Sequence, residues 1–204
     1  MTGVIDYGVG NLYSLLCSLR YLGADAVITS DPRTLRDCRR IILPGVGAFR
    51  DAANKLRGTG LADFVVEEAR RGKPLLGVCL GMQLLFEKSY EFGEHDGLSL
   101  LPGAVRPIRD YIPRGLKIPH IGWNALTLTG NATPLLKYIR GGESVYFVHS
   151  YHAADCDGCV TATAEYGEEL TAAVGRDNVM GTQFHPEKSG DVGLNILRAF
   201  SEMM

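Results

Sequence analysis

Apolar residues in this chain gather in short runs bounded by Gly, Pro and charged positions. Residues 2–6, 25–29, 40–44 and 74–78 are runs of this kind and read as buried strands. The segments between and after them, 10–22, 48–57, 60–71 and 81–88, carry apolar residues at helical spacing. Strand and helix alternating in this way predict an α/β fold: a mixed, mostly parallel central sheet with helices on both faces. Beyond residue 90 the pattern changes. Residues 90–125 are rich in Gly and Pro and read as loops and short strands. Residues 144–154, 159–166, 171–175 and 179–184 read as strands, and 190–203 as a closing helix. No repeat, linker or low-complexity stretch interrupts the chain, so residues 1–204 are expected to form a single domain.

Composition narrows the function classes. A length of 204 residues with 46% apolar content allows one domain with a large core. A net charge of −2 gives no electrostatic basis for binding nucleic acid. No apolar run approaches the ~20 residues that span a bilayer. Asp6 arrives too early for a secretory signal, so a cytoplasmic protein with no membrane contact is expected. The cysteines number five, an odd count that argues for a reducing compartment over a disulfide framework. Cys17 falls in a helical pattern and reads as core; Cys38, among charges, reads as a bystander. Cys156-Asp-Gly-Cys159 reads as a hairpin turn between strands. His149 and His152 fall on opposite faces of one expected strand, so no metal site is expected there. Asp6-Tyr-Gly-Val-Gly10 lacks the third glycine of a dinucleotide loop, and no cofactor is expected.

The chemistry centres on Pro74-Leu-Leu-Gly-Val-Cys79-Leu-Gly-Met-Gln83. Gly77 and Gly81 flank Cys79 where a strand gives way to a helical pattern. This is the frame of a nucleophile elbow with Cys in place of Ser. The turn is tight enough that Cβ atoms at the flanking positions would clash. Unpaired N–H groups at the start of the helix favour the thiolate.

A Cys nucleophile needs a base. Gly181-Thr-Gln-Phe-His185-Pro-Glu187-Lys-Ser189 supplies a histidine with a carboxylate two residues on. In extended backbone the two side chains share a face, and Pro186 keeps His185 out of the helical region. Glu187 then orients the imidazole, in the chain order Cys, His, Glu. A third segment, Ile41-Ile-Leu-Pro44-Gly45-Val46-Gly47, ends an apolar strand in a glycine-rich turn. Such a turn can aim N–H groups at one point, as an oxyanion hole requires.

Together these segments resemble the class I (triad) glutamine amidotransferase family over residues 2 to about 200. The resemblance implies a flavodoxin-like sheet and L-glutamine as substrate, with no cofactor or metal. It implies that Cys79 attacks the side-chain amide, that His185 serves as base and then acid, and that Glu187 orients His185. The N–H groups of Leu80 and of Gly45, Val46 and Gly47 would hold the oxyanion. Gln83, His149, Ser150 and Tyr151 would bind substrate.

Further segments narrow the resemblance. Asp6-Tyr-Gly-Val-Gly-Asn11, Pro119-His-Ile-Gly-Trp-Asn124, Phe147-Val-His-Ser-Tyr151 and the Lys188-Ser189 continuation are similar to glutaminase subunits of imidazole glycerol phosphate synthases. That likeness implies a separate (β/α)₈-barrel cyclase subunit as heterodimer partner, and a free subunit with little activity of its own. Asn11, Trp123, Tyr138 and Lys188 are the docking residues it suggests. The alternatives are the glutaminase of anthranilate or pyridoxal phosphate synthesis, a stand-alone Cys hydrolase, or a non-catalytic regulatory subunit. The intact Cys79, His185 and Glu187 set speaks against the last.

Overall fold

A computed structural model describes residues 1–203. The first half alternates as the sequence pattern predicts: β1 (Thr2–Ile5), α1 (Leu12–Tyr21), β2 (Ala26–Thr29), α2 (Pro32–Asp37), β3 (Arg40–Leu43), α3 (Phe49–Gly58), α4 (Leu61–Arg70), β4 (Leu75–Val78) and α5 (Leu80–Gln83). Short strands follow: β5 (Lys88–Ser89), β6 (His95–Asp96), β7 (Ala104–Pro107), β8 (His120–Ala125) and β9 (Thr127–Leu128). The rest comprises β10 (Ser144–His149), β11 (Tyr151–Ala154), β12 (Val160–Glu165), β13 (Glu169–Arg176), β14 (Val179–Thr182) and α6 (Gly190–Ser201).

The main sheet has eight strands in the order β2-β1-β3-β4-β14-β13-β12-β9. The first five pair in parallel, which is the flavodoxin-like strand order. The last three extend it by antiparallel pairing. Strands buried on both faces send alternate side chains into two layers. Ile5, Ile41, Leu43 and Leu75 pack toward α2, α3 and α4 through Leu35, Phe49, Leu56 and Val65. Val4, Ile42, Leu76 and Val78 pack toward α1 and α6 through Leu15, Leu19, Ile196 and Phe200. A four-stranded sheet, β11-β7-β5-β6, and a two-stranded ribbon, β10-β8, stand beside this sandwich.

Four expectations are corrected. The helix expected over 81–88 is one turn long, because the carbonyls of Leu84, Leu85 and Phe86 accept N–H groups from the 98–101 segment instead of continuing a helix. The strand expected over 144–154 breaks at Ser150: β10 pairs with β8 and β11 with β7, so His149 and His152 lie in different sheets. Cys156-Asp-Gly-Cys159 is not a hairpin. It forms a 3₁₀ turn carrying the chain from β11 into β12, which belong to different sheets, and both thiols are buried. Cys17 is exposed, since α1 turns Leu15, Leu16 and Leu19 inward. Cys38 is buried, and its thiol donates to the Thr34 carbonyl. Among the described residues no helix is long and apolar enough to cross a membrane.

Candidate active site

The parallel pairing of β4 with β14 closes the long sequence gap between the candidate nucleophile and its base. Val78 lies opposite Thr182, and the Cys79 N–H donates to the Thr182 carbonyl at 2.7 Å. Three residues beyond Thr182 the chain delivers His185. Its N–H donates to the Tyr146 carbonyl at 3.1 Å, and its own carbonyl accepts from Ser189 Oγ at 2.6 Å. Ser189 Oγ in turn accepts from the Tyr146 N–H. The Lys188-Ser189 continuation therefore clamps the backbone of His185 against β10.

Cys79 sits at φ 55°, ψ −113°, a conformation side chains rarely adopt. Strain of this kind persists only where the surroundings over-determine it, and it concentrates at functional sites. The flanking glycines supply that constraint. A Cβ on Gly77 would lie 2.6 Å from Met82 Cα, and one on Gly81 would lie 1.9 Å from the Leu43 carbonyl oxygen. The thiol is almost buried and accepts from Gln183 Nε2 at 3.8 Å. Because α5 is a single turn, it offers Cys79 unpaired N–H groups more than an extended dipole.

His185 Nδ1 and Glu187 Oε1 are 2.9 Å apart, with both side chains buried. That leaves Nε2 available to Cys79, which lines the same cleft as the ring. Burial opposes charge on His185, but the hydrogen bonds to Cys79 and Glu187 and their negative charges outweigh it, raising the pKa to about 9. His185 is extended as expected. Glu187 is not: it lies in a 3₁₀ turn over Pro186–Lys188, which still brings its carboxylate to the ring. Glu187 Oε1 also accepts from Asn11 Nδ2 at 3.3 Å.

The glycine turn after β3 packs on the elbow. Tyr7 donates its hydroxyl hydrogen to the Pro44 carbonyl at 2.8 Å. Gly45 abuts Leu80 and Gly81 so closely that a Cβ would meet Gly81 N at 2.7 Å. Val46 and Gly47 face a cleft with Cys79, Leu80 and His185. Of the expected oxyanion residues, Leu80, Val46 and Gly47 thus share the cleft, while Gly45 serves as the packing joint. Within Asp6-Tyr-Gly-Val-Gly-Asn11, Tyr7 braces the turn and Asn11 braces the carboxylate.

The cleft measures about 410 Å³. Gln83, His149, Ser150 and Tyr151 line it, as the sequence suggests. Gln83 Nε2 is spent on the Tyr151 carbonyl and Gln183 Oε1, so its own carbonyl oxygen is what it can offer a ligand. Burial lowers the His149 pKa to about 3, so the ring is neutral. Glu91 and Arg109 also line the cleft, and no sequence motif marks either. Glu91 Oε2 accepts from the Phe49 N–H at 2.6 Å. A carboxylate and a guanidinium at one cleft match the two charges of an amino-acid headgroup.

The expected docking residues separate. Trp123 packs edge-on to Tyr146 at 6.1 Å, and Lys188 Nζ stands 5.9 Å from the same ring. Asn11 reaches Glu187, next in sequence to Lys188. Tyr138 is elsewhere: its hydroxyl donates to Glu202 at the far end of α6. The aromatic ring that completes the cluster is Tyr146, which alternation along β10 turns to the same face as Trp123 on β8.

A family model for class I glutamine amidotransferases matches residues 3–203. The chain is 50% identical, over all of its length and 98% of the relative's, to a protein from Caldanaerobacter subterraneus subsp. tengcongensis named imidazole glycerol phosphate synthase subunit HisH. It is likewise 50% identical to the Wolinella succinogenes protein of that name, with all of both chains covered. Among solved structures, a crystal structure of a glutamine amidotransferase aligns with TM-score 0.75 at 22% identity, covering 98% of each chain. A PurLQS structure from Thermotoga maritima aligns with TM-score 0.72 at 23% identity, covering 98% of this chain and 96% of that one. At these identities the structures speak to fold alone.

Proposed function

The chain belongs to the class I glutamine amidotransferase family, and from that membership we propose that it is the glutaminase subunit of an imidazole glycerol phosphate synthase, releasing ammonia from L-glutamine for histidine biosynthesis. Full-length likeness to relatives of that name carries the pathway. The series Cys79, His185 and Glu187, with Cys79 and His185 lining one cleft and the buried Glu187 hydrogen-bonded to the imidazole, supports the chemistry.

The Cys79 thiolate attacks the side-chain amide carbon of glutamine, forming a C–S bond. Charge moves to the amide oxygen, which the Leu80 N–H and the Val46–Gly47 turn receive. As the intermediate collapses, His185 gives its proton to the departing nitrogen and the C–N bond breaks. Ammonia and a γ-glutamyl thioester remain. Water, deprotonated by His185, attacks the thioester and releases glutamate and the free thiol. Two moderate barriers replace one high one. Glu91 and Arg109 take the α-ammonium and α-carboxylate of the substrate.

Ammonia freed into neutral water would be protonated and lose its nucleophilicity, so a synthase gains from receiving it across a closed interface. The partner in this reading is a (β/α)₈-barrel cyclase subunit. It docks over the cleft mouth on Asn11, Trp123, Tyr146 and Lys188. Trp123, 57% exposed beside an exposed Ile121, suits an interface anchor.

The test is glutamate release by the purified chain, alone and with the cyclase subunit and its ribonucleotide ligand. A large rise in the complex, abolished by Cys79→Ala, is expected. Hydrolysis persisting in Cys79→Ala would remove the nucleophile. High activity alone, indifferent to the partner, would remove the pathway.

A further inference from the structure

Two buried histidines that the reaction does not use stand in one hydrogen-bonded line beside the cleft. His149 Nδ1 lies 2.8 Å from the Tyr151 carbonyl, and His149 Nε2 lies 2.9 Å from His120 Nδ1. Asn124 Nδ2 lies 3.2 Å from His120 Nε2 and 2.6 Å from the Glu165 carbonyl. The direction of each bond follows from the first. A carbonyl only accepts, so His149 carries its proton on Nδ1. A neutral His149 then accepts at Nε2, which requires the proton of His120 on Nδ1. His120 Nε2 accepts in turn from the Asn124 amide. One arrangement of protons satisfies every link.

Packing holds this line in place. The His120 ring is stacked between Phe147, with centroids 4.9 Å apart, and Tyr166, at 4.1 Å. His120 and His149 are directly opposed on the antiparallel ribbon of β8 and β10. The same ribbon has a second face. Ile121 and Trp123 alternate with His120 and Asn124 along β8 and are exposed, and Trp123 is paired with Tyr146 across the strands. One face of a two-stranded ribbon therefore borders the cleft through His149, while the other carries the exposed aromatic cluster. Loss of the His120 bond would leave His149 Nε2 buried without a donor, free to turn with the Tyr151 carbonyl it holds.

We propose that His120 is a positioning residue of the glutamine site: by fixing the ring of His149 it ties the cleft wall to the ribbon whose opposite face meets the partner. Asn124 completes the tie by fixing His120. This rests on the reading of the cleft as a glutamine site. His120 touches no substrate, and its effect runs through His149, so it acts on substrate binding and leaves the thiol chemistry in place.

The variant His120→Phe keeps an aromatic ring between Phe147 and Tyr166 but donates no hydrogen bond. In the assembled synthase with ribonucleotide ligand, the KM for glutamine is expected to rise about tenfold, the scale of one buried hydrogen bond lost. The kcat should stay within about threefold over the same comparison. Nitrogen-15 NMR of the histidine rings reads the link without activity: in the wild type His149 Nε2 resonates as a hydrogen-bonded acceptor, and in the variant it shifts to the position of a ring nitrogen without a donor. An unchanged KM, an unchanged His149 Nε2 resonance, or a fall in kcat at constant KM would overturn the proposal. Asn124→Ala tests the same line one link further out should His120→Phe not fold. A rise in KM there supports the line and a wild-type KM overturns it. Wild-type enzyme that hydrolyses no glutamine would sink the reading of the cleft itself, and this inference with it.

Discussion

Asn11 and Glu187, 176 positions apart in sequence, meet at one carboxylate oxygen: Asn11 Nδ2 donates to Glu187 Oε1 at 3.3 Å. The same oxygen faces His185 Nδ1 at 2.9 Å, while Glu187 Oε2 is buried without a partner. Asn11 is therefore the one described side chain other than His185 that holds the carboxylate by a hydrogen bond. It stands where β1 hands over to α1, so the first loop of the sheet steadies a residue from the last. Asn11→Ala is expected to lower kcat about three- to tenfold, on the scale of one hydrogen bond. The KM for glutamine should change less than about twofold, because Asn11 does not line the cleft. Steady-state kinetics of the complex check this, and an unaltered kcat would show that Glu187 needs no such support.

Two glycines separate the demands of the elbow from those of an ordinary helix. A Cβ on Gly81 would meet the Leu43 carbonyl oxygen, a backbone atom in the centre of the sheet, at 1.9 Å. Nothing there can swing aside, so Gly81→Ala should cost more than about 3 kcal/mol or prevent folding, as overpacked cores do. Gly58 closes α3 with open space where its Cβ would be. Gly58→Ala should be neutral or stabilise by up to about 1 kcal/mol through helix propensity. Urea unfolding of the two variants gives the comparison, and equal effects would contradict this account of the turn.

What the sequence discloses here follows from how local each signal is. The parallel half was legible because its strands are buried on both faces and read as unbroken apolar runs. Cys79, His185 and Glu187 were legible because the geometry around each is built from neighbours in sequence: Gly77 and Gly81 for the elbow, Pro186 for the histidine. Contacts made by pairing across the sheets were not. Ser150 carries no mark that the chain changes sheets there, since residues on both sides suit a strand. The end of α5 is set by N–H groups arriving from residues 98–101. Glu91 reaches the cleft from a loop and Arg109 from a short 3₁₀ turn, neither marked by a pattern. Tyr146 could have been found from alternation along β10, which sets it opposite Trp123; Tyr138 lies outside that strand.

Glu91 makes a direct claim on substrate charge. Its carboxylate accepts the Phe49 N–H at 2.6 Å, and the residue lines the same cleft as Cys79. Glu91→Gln keeps an oxygen for Phe49 and removes the negative charge. A charge-assisted hydrogen bond contributes about 1.5–3 kcal/mol, so the KM for glutamine should rise roughly ten- to a hundredfold. Thermal stability should hold, because the backbone contact survives. Glutamine titrations of the variant in the complex decide it. A normal KM would leave the substrate ammonium without its partner and reassign Glu91 to bracing the turn at Phe49.

The raised pKa of His185 is also a statement about folding. Its value of about 9 in the folded protein compares with about 6.5 for an unperturbed histidine. A group whose pKa rises on folding stabilises the native state where it is protonated. That contribution is complete below pH ~6.5 and is lost as the pH climbs through ~9. The difference corresponds to on the order of 3 kcal/mol for this buried ring. In His185→Asn the pH-linked term is absent. Wild type and variant should therefore differ most in unfolding free energy near pH 6 and converge by about that amount near pH 9.5. The window also bears on catalysis: at neutral pH the imidazolium beside Cys79 is the form that can hand a proton to departing ammonia. Chemical denaturation of both proteins across this range measures the gap, and a gap constant with pH would mean that His185 rests unprotonated.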